Sequence, residues 1–212
     1  MKIFIIICII ALAIWIIGSF LAVRNLEEPS YEVLKKTKIY EIRSYKSFIV
    51  ASVEVEWDQK EALNQGFRLL AGYIFWGNTS TTSIAMTAPV SETQTSQKIA
   101  MTLPVSTTPI LGNKREVTFS IPAKYTLQTL PKPNNPRVQL KEIPAETRAV
   151  LRYTLWSNQT RSEAKKEILL DALEMDGISF SGNITNQYYN PPFTIPFIRR
   201  NEVSVRIEKN DV

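Results

Sequence analysis

Residues 3–23 read IFIIICIIALAIWIIGSFLAV, without one charged side chain. No other stretch limits the fold as strongly. A segment this apolar must satisfy its own backbone N–H and C=O groups, and a helix does so internally. At ~1.5 Å per residue the run spans about 31 Å, close to the hydrocarbon thickness of a bilayer. A cleaved signal peptide is the competing reading, with an apolar region of ~7–15 residues and small residues before the cut. The unbroken apolar run from Ile3 to Ile17 already reaches that limit, and Phe20 stands where a small residue is wanted if cleavage follows Ala22. The expectation is an uncleaved transmembrane helix within residues 1–24, a single pass in a membrane. Lys2 lies on one side of it, and Arg24, Lys35, Lys36 and Lys38 on the other. That balance leans towards a cytoplasmic main domain, but folded domains translocate despite such charges, so the side stays open. Asn-x-Ser/Thr sequons at Asn78, Asn158 and Asn183 are about what composition gives by chance, and do not decide the compartment.

Residues 25–212 then form one domain, long enough to bury a core. Its composition, 44% hydrophobic and 21% charged over the whole chain, is that of a folded protein. The single cysteine, Cys8, lies in the apolar run, and there is no histidine. These two facts remove disulfides, thiolate nucleophiles, Ser-His-Asp and Cys-His catalysis, His-based zinc sites and a His axial ligand to haem. The net charge of +5 is dispersed, with bases and acids interleaved in EIRSYK and RSEAKKE. Such a surface is a solvated mixed one and no nucleic-acid footprint. Neither GxGxxG nor a P-loop is present.

Residues 31–57 carry alternating and β-branched stretches, at Ile39–Ile42 and Phe48–Val55, which predict two strands. Asp58, with Glu61 three residues on, predicts a helix start. The helix is QKEALNQGFRLLAGYIF, with an apolar stripe of Leu63, Gly66/Phe67, Leu70 and Tyr73/Ile74, ended by Gly77-Asn78. The second half repeats this order. Strands are expected at Val138–Ile143 and Thr147–Leu155. A helix follows, capped by Thr160 or Ser162, with Ala164, Ile168, Leu169 and Ala172 or Leu173 inward, and Gly177 stops it. A Pro-rich loop and a last strand, Glu202–Glu208, close the chain. Strand-strand-helix-strands, twice, predicts an α+β architecture of two pseudo-symmetric halves, each flanked by one helix.

Between the halves the chain writes IAMTAPV at 84–90 and IAMTLPV at 99–105. Period-two alternation sends residues 84/86/88 and 99/101/103 to one face, and Pro89 and Pro104 stop each strand. The duplication reads as two adjacent antiparallel strands with the same face buried. Arg115–Pro122 makes a third.

FRLLAGYIFWGN, the two IAMT segments, VTFSIPAKYTLQTLPKPNNPRV and YNPPFTIPFIRRNEV together resemble the SOUL haem-binding protein family, over nearly all of residues 31–208. The resemblance implies a twisted, barrel-like antiparallel sheet with two helices, binding of haem or other tetrapyrroles, and no established catalysis. It also implies a shallow hydrophobic groove between the first helix of the domain and a loop nearer the C-terminus. On this chain that points to Phe67, Leu70, Tyr73 and Ile74 on the helix and Tyr188, Tyr189, Phe193 and Phe197 on the Pro-rich loop. Arg68, Arg199 and Arg200 are the cations for the haem carboxylates. A structural role competes for each: the helix stripe as core, and Arg199-Arg200 as partners of acids that fix the loop.

An axial His, proposed for part of the family, is absent here, so iron ligation falls to Tyr or Met. Met86 and Met101 read as packing, and Tyr188 and Tyr189 are the better candidates. The expectation is binding by burial of the ring, with weak or no iron ligation and tolerance of iron-free porphyrins. The alternative is a membrane-tethered binding module for amphiphilic small molecules or peptides. An enzyme is a third class. Glu61, Glu142 and Glu174 are available, but nothing in the sequence places two carboxylates together.

Overall fold

In a computed structural model, which describes residues 1–56, 58–80 and 96–208, the apolar run is a helix, α1 (Lys2–Leu21). The domain opens with three strands, β1 (Tyr31–Lys36), β2 (Glu41–Tyr45) and β3 (Phe48–Glu56). The sequence predicts only two of them. β1 is exposed along its whole length, so it lacks the alternation that reveals a strand with one buried face. The helix α2 (Gln59–Phe75) has the predicted bounds, and the Asp58 carboxylate accepts the backbone N–H groups of Lys60 and Glu61 at 3.0 Å each.

The chain continues through β4 (Asn78–Thr79), β5 (Val105–Pro109), β6 (Lys114–Ser120), β7 (Lys132–Pro133), β8 (Gln139–Ile143) and β9 (Glu146–Tyr153). The helix α3 (Gln159–Met175), β10 (Phe180–Tyr188), a 3-10 turn at Pro196–Ile198 and β11 (Asn201–Ile207) complete it. β10 lies within a stretch read as loop. Its burial alternates only weakly, because residues 185–187 are covered on both faces.

Nine strands form one antiparallel sheet in the order β1-β2-β9-β11-β10-β5-β6-β3-β8, curled into a half-barrel. The α+β fold and the flanking helices are as expected, and the connectivity is more interlocked. β2 pairs with β9, and β8 with β3. Each sequence half thus gives a strand to the other. Both helices lie on one face. α2 covers β3 and β6, burying Ala51, Val53, Val117 and Phe119, whereas α3 covers β9 and β11, burying Leu151, Val203 and Val205. The opposite face lines the hollow of the half-barrel.

Two local expectations need correction, and a third is not among the described residues. The first IAMT copy, Met86 included, lies outside the described residues. The second is no strand before Val105. Its backbone is held from elsewhere: Ile99 N–H donates to Ile74 O at 2.8 Å and Leu103 N–H to Glu27 O at 2.9 Å. In α3 the cap is Asn158, which accepts from Arg161 N–H at 2.9 Å. Starting there puts Ser162 and Lys166 inward with Leu169, Ala172 and Leu173, and leaves Ala164 and Ile168 exposed. Lys166 lays its stem along the sheet and pairs its Nζ with Glu163 at 2.8 Å.

Gly66 is where α2 comes closest to the sheet. A Cβ there would stand 2.4 Å from Val117 Cγ2 and 2.5 Å from Val117 Cβ. Gly66→Ala is therefore expected to cost about 1–3 kcal/mol through overpacking. Val117→Ala in the same chain should recover part of the loss, measured by thermal unfolding of the full chain in detergent.

Candidate functional site

A groove has two neighbouring lobes, one in the hollow of the sheet and one at its end, where β3 begins and β6 stops. The inner lobe, about 110 Å³, lies among β2, β3, β6 and β10, with Tyr45, Val50, Thr118 and Tyr189 on its walls. The outer lobe, about 410 Å³, is walled by Phe48, Ile49, Ile121, Pro122, Tyr125 and Leu127. Glu28, Pro29, Phe48 and Ser120 line both lobes, so the two adjoin. Local sequence explains the outer wall. Ile121 N–H still bonds Ile49 O at 2.8 Å, but Pro122 has no N–H, and the ladder ends. The chain then turns, with Tyr125 N–H on Pro122 O at 3.1 Å and Leu130 N–H on Thr126 O at 3.0 Å, which brings Tyr125 and Leu127 over the opening. Glu27, Glu28 and Glu142 sit on the rim. Lys124 places its ammonium 5.0 Å from the Tyr125 ring centroid.

A buried ionic cluster closes one side of the inner lobe. Glu202 on β11 is fully buried. It accepts two bonds from Arg43, at 2.9 and 3.2 Å, one from Arg200 Nε at 2.9 Å and one from the Tyr189 hydroxyl at 2.9 Å. Arg200 also holds Glu28 with Nη1, at 2.9 and 3.0 Å, and stacks 3.6 Å from the Tyr189 ring centroid. Burial works against the charge on both guanidiniums; Glu202 and Tyr45 around Arg43, and Glu202, Tyr189 and Glu28 around Arg200, together outweigh it, so both are held above the usual arginine range. Burial first, and the Glu202 charge second, push the Tyr189 phenol well above its usual value. The cluster fixes the linker at Glu28, β2, β11 and the chain after β10 in one arrangement. Sequence reading found Arg200 and missed Arg43 and Glu202, since a buried charged pair in an alternating strand looks like surface.

The structure separates the residues named from the sequence. Leu70, Tyr73 and Ile74 are in the core between α2 and the sheet, and Tyr73 donates to Pro131 O at 2.8 Å. Phe67, 39% exposed, stands at the edge of that core against Phe119, and Arg68 is on the outer side of α2. Tyr188 and Tyr189 leave the sheet on opposite faces. Tyr188 accepts from Gln59 Nε2 at 2.6 Å between the starts of the two domain helices, whereas Tyr189 faces the inner lobe. They cannot ligate one metal together. Phe193 and Phe197 are exposed on the Pro-rich loop, 61% and 77%. Arg199 lies 3.8 Å from the Trp156 ring centroid and donates to Thr194 O at 3.0 Å and to Pro192 O. Met101 packs against the α2 core. Of the sequons, Asn78 is buried, donates to Tyr73 O at 2.6 Å and accepts from Gln97 N–H at 2.9 Å, so its amide is not open to glycosylation in this fold.

For a large planar ligand, the groove offers Phe48, Ile49, Ile121, Pro122, Tyr125 and Leu127 among walls that are otherwise mostly Glu, Ser and Thr. For its iron, it offers only phenols and carboxylates among the described residues, and no group of three or more His, Cys, Asp or Glu is placed to hold a metal. The residues present thus fit a tetrapyrrole as a ring more closely than as a metal complex.

The SOUL heme-binding protein family model matches residues 26–206. The chain belongs to the SOUL haem-binding family. No curated protein matches it in sequence. Among solved structures, the C-terminal domain of EcmrR superposes with a TM-score of 0.58 at 11% identity, over 84% of this chain and 98% of that one. A hydrolase from Listeria innocua superposes with a TM-score of 0.52 at 8% identity, over 82% and 94%. At such identities the likeness is one of fold. In this SOUL domain the groove is the candidate ligand site, and Tyr189 and Glu28 bring the buried ionic cluster to its wall.

Glu202→Ala strips both arginines of their buried partner and is expected to cost about 3–5 kcal/mol, or ~2–4 °C of Tm for each kcal/mol in a chain of this size. The alkaline limb tests the same wall. Because the Tyr189 phenol is raised by folding, its contribution is complete below the unfolded value of ~10 and is lost as pH rises through the folded one. Tyrosinate absorbance at Tyr189 should therefore appear only together with loss of near-UV circular dichroism. A Tyr189→Phe difference spectrum identifies it.

Proposed function

We propose that this chain is a membrane-tethered tetrapyrrole-binding protein that buries the ring in the groove of its half-barrel, without a His axial ligand, as a carrier, buffer or sensor. The observation that carries the reading is a preformed groove of about 410 Å³ with aromatic and aliphatic walls in a member of a haem-binding family. That volume falls in the ~300–1,000 Å³ range of small-molecule sites. Phe48, Ile49, Ile121, Tyr125 and Leu127 would contact the ring, with Lys124 near the opening for a carboxylate. A bound iron would supply redox and ligand-binding chemistry of its own; the protein groups described here orient the ring and keep water from its faces. Tyr125 and Tyr189 are the phenols nearest such a ring, in place of the Tyr188–Tyr189 pair.

The tether is supported by the length and apolarity of α1, which is long enough to cross a membrane. It is also supported by two bonds that cleavage would discard, Trp15 Nε1 to Phe193 O at 2.7 Å and Ile195 N–H to Ser19 Oγ at 3.2 Å. A second reading, a binding module for amphiphiles, is favoured by one observation. Glu27, Glu28 and Glu142 make the rim acidic, which suits a cationic amphiphile better than a dicarboxylate.

Titrating the full chain in detergent with haemin and with protoporphyrin IX separates these readings. Saturable one-to-one binding of both, without a six-coordinate low-spin spectrum, is expected. Leu127→Asp, at a position 41% exposed and so safe for folding, should weaken both at least about tenfold, ~1.4 kcal/mol. Phe67→Ala and Phe197→Ala should leave them unchanged. The opposite pattern would move the ring to the outer surface of α2 and the Pro-rich loop. Equal affinity for unrelated apolar cations would favour the second reading.

A further inference from the structure

The Pro-rich loop, residues 190–198, touches α1 far from the end of the helix. Trp15 donates to the carbonyl of Phe193, and Ser19, the one buried residue of α1, accepts from Ile195 N–H. Trp15 is eight residues before Val23, where the uncharged run ends. That is about 12 Å of helix at ~1.5 Å per residue. If the bilayer surface lay at Trp15 instead, only Ile3–Trp15 would remain to cross it, about 20 Å, too short for a hydrocarbon core of ~30 Å. Wherever α1 is placed to span, the loop tip falls inside the membrane boundary on the domain side.

The chemistry of the loop suits that position. Its two largest apolar side chains, Phe193 and Phe197, point away from the domain and are exposed. Three of its residues, Pro191, Pro192 and Pro196, have no backbone N–H to desolvate. Much of the remaining backbone is paired: Thr194 N–H with Pro191 O, Ile198 N–H with Ile195 O, and Pro196 O with Leu155 N–H. The carbonyls of Pro192 and Thr194 are taken by Arg199. Irregular backbone is tolerated near lipid only when its polar groups are satisfied in this way. Arg199 stacked on the exposed Trp156 supplies the cation and indole that favour the headgroup layer.

We infer that the Pro-rich loop is a second membrane contact, which inserts Phe193 and Phe197 into the bilayer spanned by α1 and sets Trp156 and Arg199 at its headgroups. The inference rests on the tethered reading of α1. It fixes the orientation of the domain. The end of β10 and the Glu28 linker that line the groove face the bilayer, and the β5–β6 turn at Leu111, at the opposite end of β5 from the end of β10, faces away from it.

Single cysteines carrying an environment-sensitive fluorophore test it, in full chain with Cys8→Ser reconstituted into phosphatidylcholine vesicles containing spin-labelled lipid. Phe197→Cys and Phe193→Cys report the loop, Ile10→Cys reports α1, and Leu111→Cys, at a residue 91% exposed, reports the far end of the sheet. All four positions are exposed, so the substitutions spare the core. The inference expects lipid quenching and a blue-shifted emission at 193, 197 and 10, and neither at 111. Quenching at 10 without quenching at 193 and 197 would overturn the loop contact and leave the tether standing. Absence of quenching at 10 would remove the tether and the loop contact with it.

Discussion

Everything near the groove is organised by one buried carboxylate. Glu202 sits on β11, near the middle of the sheet, with no solvent exposure. An isolated charge at that position would be prohibitively costly. It exists because Arg43 from β2, Arg200 from the segment entering β11 and the Tyr189 hydroxyl fill its lone pairs. Arg200 then reaches Glu28, so the same network anchors the linker that joins α1 to the domain. Such a cluster contributes little net stability compared with an apolar replacement, whereas loss of one partner leaves a buried charge short of its bonds. The same bonds hold Tyr189 and Glu28, which line the inner lobe, in place.

The helices act on the other face and for another purpose. α2 and α3 bury apolar residues of opposite halves of the sheet. Between their starts lies a polar seam, where Gln59 donates to Ser162 at 3.0 Å and to Tyr188 at 2.6 Å. The helix face thereby carries the core, and the hollow face holds the inner lobe; the outer lobe opens at the end of the sheet, where Ile49 and Ile121 are also part of the α2 core. A ring held between α2 and the Pro-rich loop would compete with packing that the fold already uses, because Leu70, Tyr73 and Ile74 have no free surface to offer.

Much of this was legible in the sequence, and the failures have physical causes. The bounds of α2 were readable because Asp58 and the three-to-four spacing of apolar residues act locally. The last strand was readable from its alternating residues. α3 was placed correctly and rotated wrongly, because Lys166 buries its stem and a charged residue is not counted as inward. β1 and β10 escaped notice, the first exposed on both faces and the second covered on both near its end. The groove was invisible because its walls come from segments distant in the chain, with Phe48, Ile121 and Leu127 meeting only after the sheet curls. Family resemblance located the ligand class and pointed to a helix stripe whose period-3.6 pattern is equally that of a core. Only burial separates the two.

The claim on which the account turns is that the ring lies in the groove at the end of the half-barrel and not on the outer surface of α2. Methyl NMR of Ile- and Leu-labelled full chain in detergent, with haemin added, measures this directly, because paramagnetic iron broadens nearby signals. The account predicts selective broadening of Ile49, Ile121 and Leu127, with Leu63 on α2 and Ile195 on the loop retained. Broadening of Leu63 and Ile195 while Ile49 and Ile121 stay sharp would contradict it.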